Sequence, residues 1–319
     1  MLNYTIKRIY AALLVLLAVT AITFFTLRSF AGSAAMLSLG TDASTEQLRQ
    51  LERQLGLDLP WYLQYLHWLR SLLRFDLGSS LLYGEKVRTL ILQRLPVTLS
   101  LSACSMLMSL SLALPLGIAA AAGKNRLPDI LSRSLLQLGS AIPAFWLSLL
   151  LILFFSLRRK CFPASGFTPL SAGFLPYLRS IFLPSLALSL AETAPLLRLL
   201  RTSMLHALSE DYIVMARVQG LPAHKIYLKY ALRSSLTAPL SMAGIQFAKL
   251  LGGTTVVESV FALPGLGRLL LIAVEQRDLP LLQGCVVFIT AAVVLCTLLV
   301  DLLGTALHPR TRLTEELPS

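Results

Sequence analysis

The chain has 319 residues, of which 55% are hydrophobic and 14% are charged, and its formal net charge is +12. Soluble globular domains carry about 25% charged residues, so this composition excludes an ordinary soluble domain and predicts a membrane protein. The basic residues are spread over many loops. That distribution is typical of cytoplasmic loops and contact with anionic lipids, and it does not indicate nucleic-acid binding.

Six apolar stretches are long enough to cross the hydrocarbon core of a membrane, which requires roughly 20 residues. Proline and glycine interrupt the fourth and fifth, and transmembrane helices tolerate such breaks where neighbours satisfy the freed backbone groups. We therefore predict an all-α integral membrane protein with six transmembrane helices. The stretches cover residues 9–27, 97–122, 131–157, 178–200, 236–260 and 281–307.

The first stretch follows Lys7 and Arg8, as the core of a signal peptide would. Its apolar run is longer than such a core and no small-x-small cleavage site closes it. We therefore expect a retained N-terminal transmembrane helix, residues 1–29, whose N-terminus is cytoplasmic. Six crossings return the tail, residues 308–319, to the same side. In this topology the basic cluster Arg158–Lys160 falls outside, against the trend of the other loops.

An extracytoplasmic insert over residues 30–94 separates the first two crossings. Apolar residues at helical spacing predict an amphipathic helix over Thr45–Leu57. A second predicted helix, Pro60–Phe75, is rich in aromatic residues and typical of a helix at the membrane interface. Two loops rich in turn-forming residues, 161–169 and 260–267, lie on the same side. These loops either shape a vestibule or form tight turns.

Motifs for catalysis are absent from the sequence. It contains no G-x-x-x-x-G-K-[ST] loop for nucleotide phosphates, no H-E-x-x-H and no G-x-S-x-G. The four histidines are dispersed and the four cysteines show no paired spacing, so neither a metal site nor a disulfide framework is indicated. We predict a chain that is not an enzyme and that binds neither a cofactor nor a metal.

Four charged residues fall within the predicted crossings or at their ends, where each costs about 2.5–3.5 kcal/mol on insertion scales. Glu192 and Lys249 lie in the fourth and fifth crossings. They either line a polar path between helices or serve a structural role. Glu258 and Asp301 lie near the interfaces, where a structural role is favoured.

The polar segment 202–235 separates the fourth and fifth crossings. Thr202–Leu208, Asp211–Gln219 and Ala223–Arg233 are predicted to be helical. A break is predicted at Gly220–Pro222, because glycine lets a helix end sharply. The pattern indicates a short helix projecting from the membrane, where another protein docks. The alternative is an ordinary basic loop in contact with lipid headgroups.

This segment and several others resemble one family. Met215–Gly220, with the helix that follows, resembles the EAA loop of binding-protein-dependent ABC importer permeases, and more narrowly their dipeptide, oligopeptide and nickel branch. Val214 and Met215 stand where the general pattern has Glu and Ala, as is common in this branch. The segments that extend the resemblance, some of them typical of the first-permease type, are Lys7-Arg8, Phe75–Ser80, Gly252–Arg268, Arg277–Pro280, Asp301 and His308–Arg310.

The resemblance implies a type I ABC importer fold, with the transmembrane domain over residues 95–307, in the bacterial cytoplasmic membrane. It implies a second homologous permease, two ATPase subunits that bind ATP and Mg, and an extracytoplasmic solute-binding protein. ATP-driven closure of the ATPases would switch the pathway between inward- and outward-facing states. The residues implied in ATPase coupling are Asp211, Tyr212, Met215, Ala216, Arg217, Gly220, Leu221 and Pro222.

The cargo is open at this point between short peptides and nickel or a metal chelate. A bare metal favours clusters of His, Cys or carboxylates, which are lacking, whereas a chelate needs none. Outside the family, an ion-coupled secondary transporter would show two related halves, and the sequence shows no repeat. A structural scaffold would require neither the outer Pro-Gly turns nor the intramembrane charges.

Overall fold

The computed structural model describes residues 2–28 and 60–307, apart from 125, 128, 131, 133 and 135–140. These residues form helices joined by loops and turns, with one isolated antiparallel bridge between Ser79 and Lys86. The helices with assigned bounds are α1 Leu2–Arg28, α2 Trp61–Leu73, α3 Val87–Ala122, α4 Ala144–Leu151, α5 Phe174–Leu208, α6 Asp211–Val218, α7 Ala223–Lys225, α8 Leu232–Ser235, α9 Thr237–Gly253, α10 Thr255–Val260, α11 Leu266–Glu275 and α12 Leu279–Leu307. π-Helical segments over Ile152–Arg158 and Ile226–Ala231 continue α4 and α7.

Four helices of the described residues are long and apolar enough to cross a membrane: Thr5–Leu27, Val87–Ala122, Phe174–Leu208 and Leu279–Leu302. They coincide with the first, second, fourth and sixth predicted crossings. The third lies partly outside the described residues, and its described helix, Ala144–Arg158, is a shorter apolar one. The fifth is divided at Thr254 into α9, of 17 residues, and α10, of 6. The all-α membrane class is confirmed, while the number six stays a prediction.

The predicted insert, residues 30–94, lies only partly within the described residues. The helix predicted at Thr45–Leu57 lies outside the described residues. The second crossing was expected from residue 97, but α3 begins at Val87. The early start has a packing reason: Val87, Leu90 and Ile91 are buried despite the polar residues between them. The last turns of the expected insert are therefore helix.

The described chain divides into two compact units. The first contains Met1–Thr98 and Pro264–Leu295, and the second Leu99–Leu263 and Cys296–Ser319. The core of the first unit joins the start of α3 to α11 and the start of α12. Gly284 has a steric role there, because a Cβ at that position would lie 2.5 Å from Val87 Cγ1.

Aromatic residues of α2 pack on α1 within the first unit. The ring of Phe24 lies 5.3 Å from that of Tyr65 and 5.7 Å from that of Trp68, centroid to centroid. Thr20 Oγ1 and the Tyr65 hydroxyl are hydrogen-bonded at 3.2 Å. Part of the aromatic face predicted for the membrane interface therefore fixes α2 to α1, while Trp61 remains 55% exposed.

A buried carboxylate, Asp278, joins two sequence motifs that are 198 residues apart. Asp278 Oδ2 accepts hydrogen bonds from Ser80 Oγ at 2.5 Å and from the Leu82 amide at 3.1 Å. Asp278 Oδ1 accepts one from the Leu281 amide at 3.1 Å, so the same side chain caps α12. Asp278 is 1% exposed. The two motifs are therefore parts of one local structure.

The second unit contains the rest of α3 together with α5 and α9. Met106 and Ala113 of α3 share a buried cluster with Leu197 of α5 and Ala243 of α9. Small residues allow the helices to approach closely: a Cβ on Gly117 would lie 2.6 Å from Leu200 Cδ2. This packing holds the part of α5 that leads toward the polar segment.

Replacing Asp278 with alanine should destabilise the protein, because it removes the acceptor of three hydrogen bonds. Each buried donor left unpaired costs about 1–3 kcal/mol. We expect the apparent Tm in detergent to fall by roughly 5–10 °C. Asp76→Ala is the matched control, because that exposed carboxylate accepts a single backbone hydrogen bond, from Gly78. Equal melting temperatures for the two variants would contradict the structural role of Asp278.

Candidate functional site

The segment that connects α5 to α9 contains the short helix α6. It begins at Asp211, after Glu210 in extended backbone. Asp211 lies in the first turn and Arg217 in the last, so both charges complement the helix dipole. Eight residues are too few for a stable isolated helix. The packing of α6 on the rest of the chain therefore decides its position.

One face of α6 is buried. Ile213 and Ala216, three residues apart and hence on one face, are 0% and 5% exposed. They belong to a buried cluster with Leu200 and Met204 of α5 and with Ile226 from the returning arm. Burial of an isoleucine side chain contributes about 1.5–3 kcal/mol. The cluster therefore fixes α6 to the end of the long helix α5.

The remaining face of α6 is exposed and rich in apolar residues. The exposed fractions are 46% for Tyr212, 49% for Val214, 59% for Met215 and 78% for Val218. Val214 and Val218 are neighbours on the helix surface, one turn apart. Clustered apolar side chains at a polar surface mark interaction sites. We call these four residues the α6 outer face.

Gly220 ends α6 in a Schellman turn. Its φ is +76°, its amide donates to the Arg217 carbonyl at 3.0 Å, and the next amide, that of Leu221, donates to the Ala216 carbonyl at 3.1 Å. These two bonds satisfy carbonyls that a helix end leaves free. A Cβ at Gly220 would meet no atom within 4 Å. Backbone conformation, not space within this chain, therefore requires glycine here.

The returning arm runs through α7, a π-helical segment and α8. Tyr212 and Ser234 are joined by a hydrogen bond of 2.9 Å between their hydroxyls. Ile226 and Ala231 of the arm are buried in the same cluster as Ile213. The predicted helices on both sides of Gly220–Pro222 are confirmed, and the two arms support each other.

The implied coupling residues have different surroundings. Ala216 is buried and Leu221 is half-buried, so both hold α6 in place instead of facing a partner. The other six are exposed: Asp211, Tyr212, Met215, Arg217, Gly220 and Pro222. The pattern of a short helix with one buried and one exposed face would not follow from the motif alone.

A buried ion pair lies beside this segment. Arg201 Nε donates to Asp129 Oδ1 at 2.6 Å and Arg201 Nη2 to Oδ2 at 2.8 Å, a bidentate arrangement. The Asp129 side chain is 1% exposed and that of Arg201 16%. Sequence reasoning missed this pair. Its signal was the single acid in the basic loop 123–129.

The four intramembrane charges have different surroundings. Glu258 is fully buried on α10 and accepts a hydrogen bond from Thr254 Oγ1 at 2.7 Å. Asp301 is half-buried on α12. Glu192 is half-buried on α5 and Lys249 is exposed on α9. Gln246, which sequence reasoning missed, donates from Nε2 to the Glu192 carbonyl at 3.2 Å.

The two loops predicted on the outer side contact each other. The Gly166 amide donates to the Phe261 carbonyl at 2.9 Å. Within the first of these loops, Phe162 stacks on the ring of Phe182 of α5, with ring centroids 5.0 Å apart. The basic cluster Arg158–Lys160 is exposed, with the Arg158 guanidinium 5.5 Å from the Phe154 ring centre. The described residues of the two loops are thus joined by a backbone hydrogen bond.

Comparison with known proteins identifies the family. Residues 113–313 match the model of the binding-protein-dependent transport system inner membrane component, and residues 1–102 match the N-terminal model of the same kind of protein. The chain belongs to this family. It is a membrane permease component of ABC transporters and not an enzyme, and an ATPase and a solute-binding protein are its partners.

Curated relatives match over nearly their whole length. A protein of Brucella abortus (strain 2308), provisionally named a peptide transport system permease protein, is 38% identical over 307 residues, 96% of this chain and 98% of the relative. The glutathione transport system permease protein of Escherichia coli (strain K12) is 36% identical over 312 residues, 98% of this chain and 99% of the relative.

Replacing Gly220 with alanine should loosen α6, because a Cβ at φ +76° costs about 1–2 kcal/mol. We expect protease cleavage and amide exchange within residues 211–222 to accelerate roughly 5–30-fold. Gly220→Asn should behave closer to the wild type, since asparagine tolerates this conformation. Gly253→Ala is the control, because that helical glycine also has open space but no positive φ. Equal protection in Gly220→Ala and Gly253→Ala would contradict the turn's role.

Proposed function

We propose that this chain is one of two homologous permease subunits of an ATP-driven importer for di- and oligopeptides. The names of its relatives, a peptide permease and a permease for glutathione, which is itself a tripeptide, support this cargo. Nickel or a metal chelate is the second candidate in the same branch. The peptide cargo is preferred because both relatives are named for peptide or glutathione transport, and both match this chain over nearly its whole length.

We place both termini in the cytoplasm, on the same side as α6. The basic loop 123–129 and the basic residues of segment 198–233 support this orientation, because Lys and Arg concentrate in cytoplasmic loops. The outer loops, 161–169 and 260–267, then face the solute-binding protein. Arg158–Lys160 falls on that outer side, where it is available to an acidic partner surface.

The observation that carries the coupling role is the two-faced packing of α6. Its buried residues, Ile213 and Ala216, attach it to α5. In the described part of the chain its outer face stays exposed, so a partner protein can bind there. An ATPase subunit docks on the outer face in our proposal. ATP and Mg are bound by the ATPases, because this sequence has no phosphate-binding loop of its own.

The packing suggests how work reaches the membrane. Closure of the ATPases on ATP displaces α6, and the buried cluster transmits this displacement to Leu200 and Met204 of α5. The bidentate pair of Arg201 with Asp129 couples the same end of α5 to the loop 123–129. A rigid connection of this kind permits a switch between inward- and outward-facing states by rigid-body movement.

Glutamate at the α6 outer face should abolish ATPase docking. Met215→Glu and Val218→Glu place a charge in an apolar interface without disturbing the fold, because both side chains are solvent-exposed. We expect the affinity of the ATPases for the permease pair to fall at least about tenfold, since burying an unpaired charge costs more than 1.4 kcal/mol. Co-purification and ATP-driven uptake of a labelled dipeptide into proteoliposomes measure the two effects.

Leu127→Glu is the matched control. Leu127 is 71% exposed and belongs to the basic loop on the same proposed side, but not to α6. It should retain ATPase binding and dipeptide uptake. Normal docking and uptake in Val218→Glu would contradict the coupling role. Uptake of Ni²⁺ but not of dipeptide by the wild-type transporter would instead favour the second cargo.

A further inference from the structure

The side-chain amide of Gln246 on α9 has one paired end and one unpaired end. Gln246 is 2% exposed, and its Nε2 donates to the Glu192 carbonyl on α5 at 3.2 Å. A carbonyl oxygen only accepts hydrogen bonds, so this contact fixes which end of the amide is nitrogen. Oε1 therefore points the other way, and it has no hydrogen-bond donor in the described structure.

An unpaired buried acceptor is unusual, because it costs about 1–3 kcal/mol. A second acceptor, the Glu192 carboxylate, belongs to the residue whose carbonyl Gln246 contacts. This carboxylate is half-buried and forms no hydrogen bond and no close ion pair with a described residue. Glu192 lies about 27 Å from one end of the 35-residue helix α5 and about 24 Å from the other. It is therefore in the middle of a membrane crossing.

Lys249 supplies the opposite charge on the same helix face as Gln246. The two residues are three positions apart on α9, so their side chains are neighbours. Lys249 is exposed and lies near the middle of the fifth predicted crossing, residues 236–260. Because Gln246 contacts the Glu192 backbone, Lys249 lies one helical turn from the contact between α9 and α5. Exposed charges at such depth face a water-filled cavity or another subunit, not lipid.

We propose that Glu192, Gln246 and Lys249 form a binding subsite for the charged ends of a peptide in the translocation path. The Glu192 carboxylate and Gln246 Oε1 accept hydrogen bonds from the peptide's α-ammonium group. The Lys249 ammonium binds its α-carboxylate. This assignment rests on the proposed peptide cargo and goes beyond it, because it names the groups that hold the cargo within the membrane.

Charge balance favours a zwitterion over a metal ion. One carboxylate and one ammonium make the empty subsite neutral, and a peptide with free ends keeps it neutral when bound. A divalent cation would meet the Lys249 ammonium and would find only oxygen acceptors, whereas nickel binds well to imidazole nitrogen. No group of three His, Cys, Asp or Glu residues that could hold a metal occurs among the described residues.

The test measures binding to the complete permease–ATPase complex in lipid nanodiscs, without the solute-binding protein. The probes are labelled alanyl-alanine, its N-acetyl form and its C-terminal amide. In the wild type each modification should weaken binding at least about tenfold, which corresponds to about 1.4 kcal/mol. In Glu192→Gln, N-acetylation should cost less than about twofold, because the negative charge that attracts the ammonium is gone. Lys249→Met should remove the cost of amidation in the same way.

Ser102→Ala is the matched control, since it also alters a buried side chain without a hydrogen-bond partner in this unit. It should keep both end-group penalties. Unchanged penalties in Glu192→Gln and Lys249→Met would overturn the subsite. Should either variant fail to assemble, the wild-type complex still tests the subsite. Equal binding of the free and acetylated peptides by that complex would overturn it. Failure of the wild-type complex to bind or import any peptide contradicts the proposed function, whereas normal import with unchanged penalties contradicts only the subsite.

Discussion

The burial of Ile213 and Ala216 against the end of α5 holds α6 in place. Without it α6 would be eight residues with no independent stability. With it, a surface exposed to partners is attached to a helix long enough to cross the membrane. The Schellman turn at Gly220 completes this arrangement, because it ends α6 sharply and returns the chain toward the same cluster.

Three polar contacts between distant residues organise the apolar helices. In two of them, Ser80 with Asp278 and Arg201 with Asp129, the donor and the carboxylate are hydrogen-bonded to each other. Each fixes one segment against another, and breaking a buried pair of this kind is costly. The contact of Gln246 differs, because the amide is satisfied at one end only. In our proposal that difference distinguishes a structural contact from a group that binds the cargo.

Much of the fold was predictable from the sequence. Long apolar runs identify the four unbroken helices that are long enough to cross a membrane. The helices on either side of Gly220–Pro222 follow from periodicity and from the glycine that ends the first of them. The helix α3 begins ten residues before the predicted crossing, and its first turns mix Arg88 and Gln93 with buried residues, so hydropathy alone does not reveal them. The division of the fifth crossing at Thr254 was equally invisible in composition.

The candidate site was predictable in place but not in orientation. The motif around Gly220 located the proposed coupling segment, yet it did not distinguish the buried Ala216 from the exposed Met215. That distinction requires the neighbouring α5, which no local pattern describes. Contacts such as Gln246 with Glu192, 54 residues apart, depend on helix packing, and a sequence of mainly apolar residues leaves the facing sides undetermined.

The decisive test is disulfide cross-linking between the permease and its partner ATPase. Single cysteines are placed along α6, one at each position from 212 to 218, and each is tested against a cysteine in the docking cleft of the ATPase. We expect a periodic pattern, with strong cross-links from positions 214, 215 and 218 and none from 213 or 216. A uniform pattern, or cross-links strongest at 213 and 216, would contradict it.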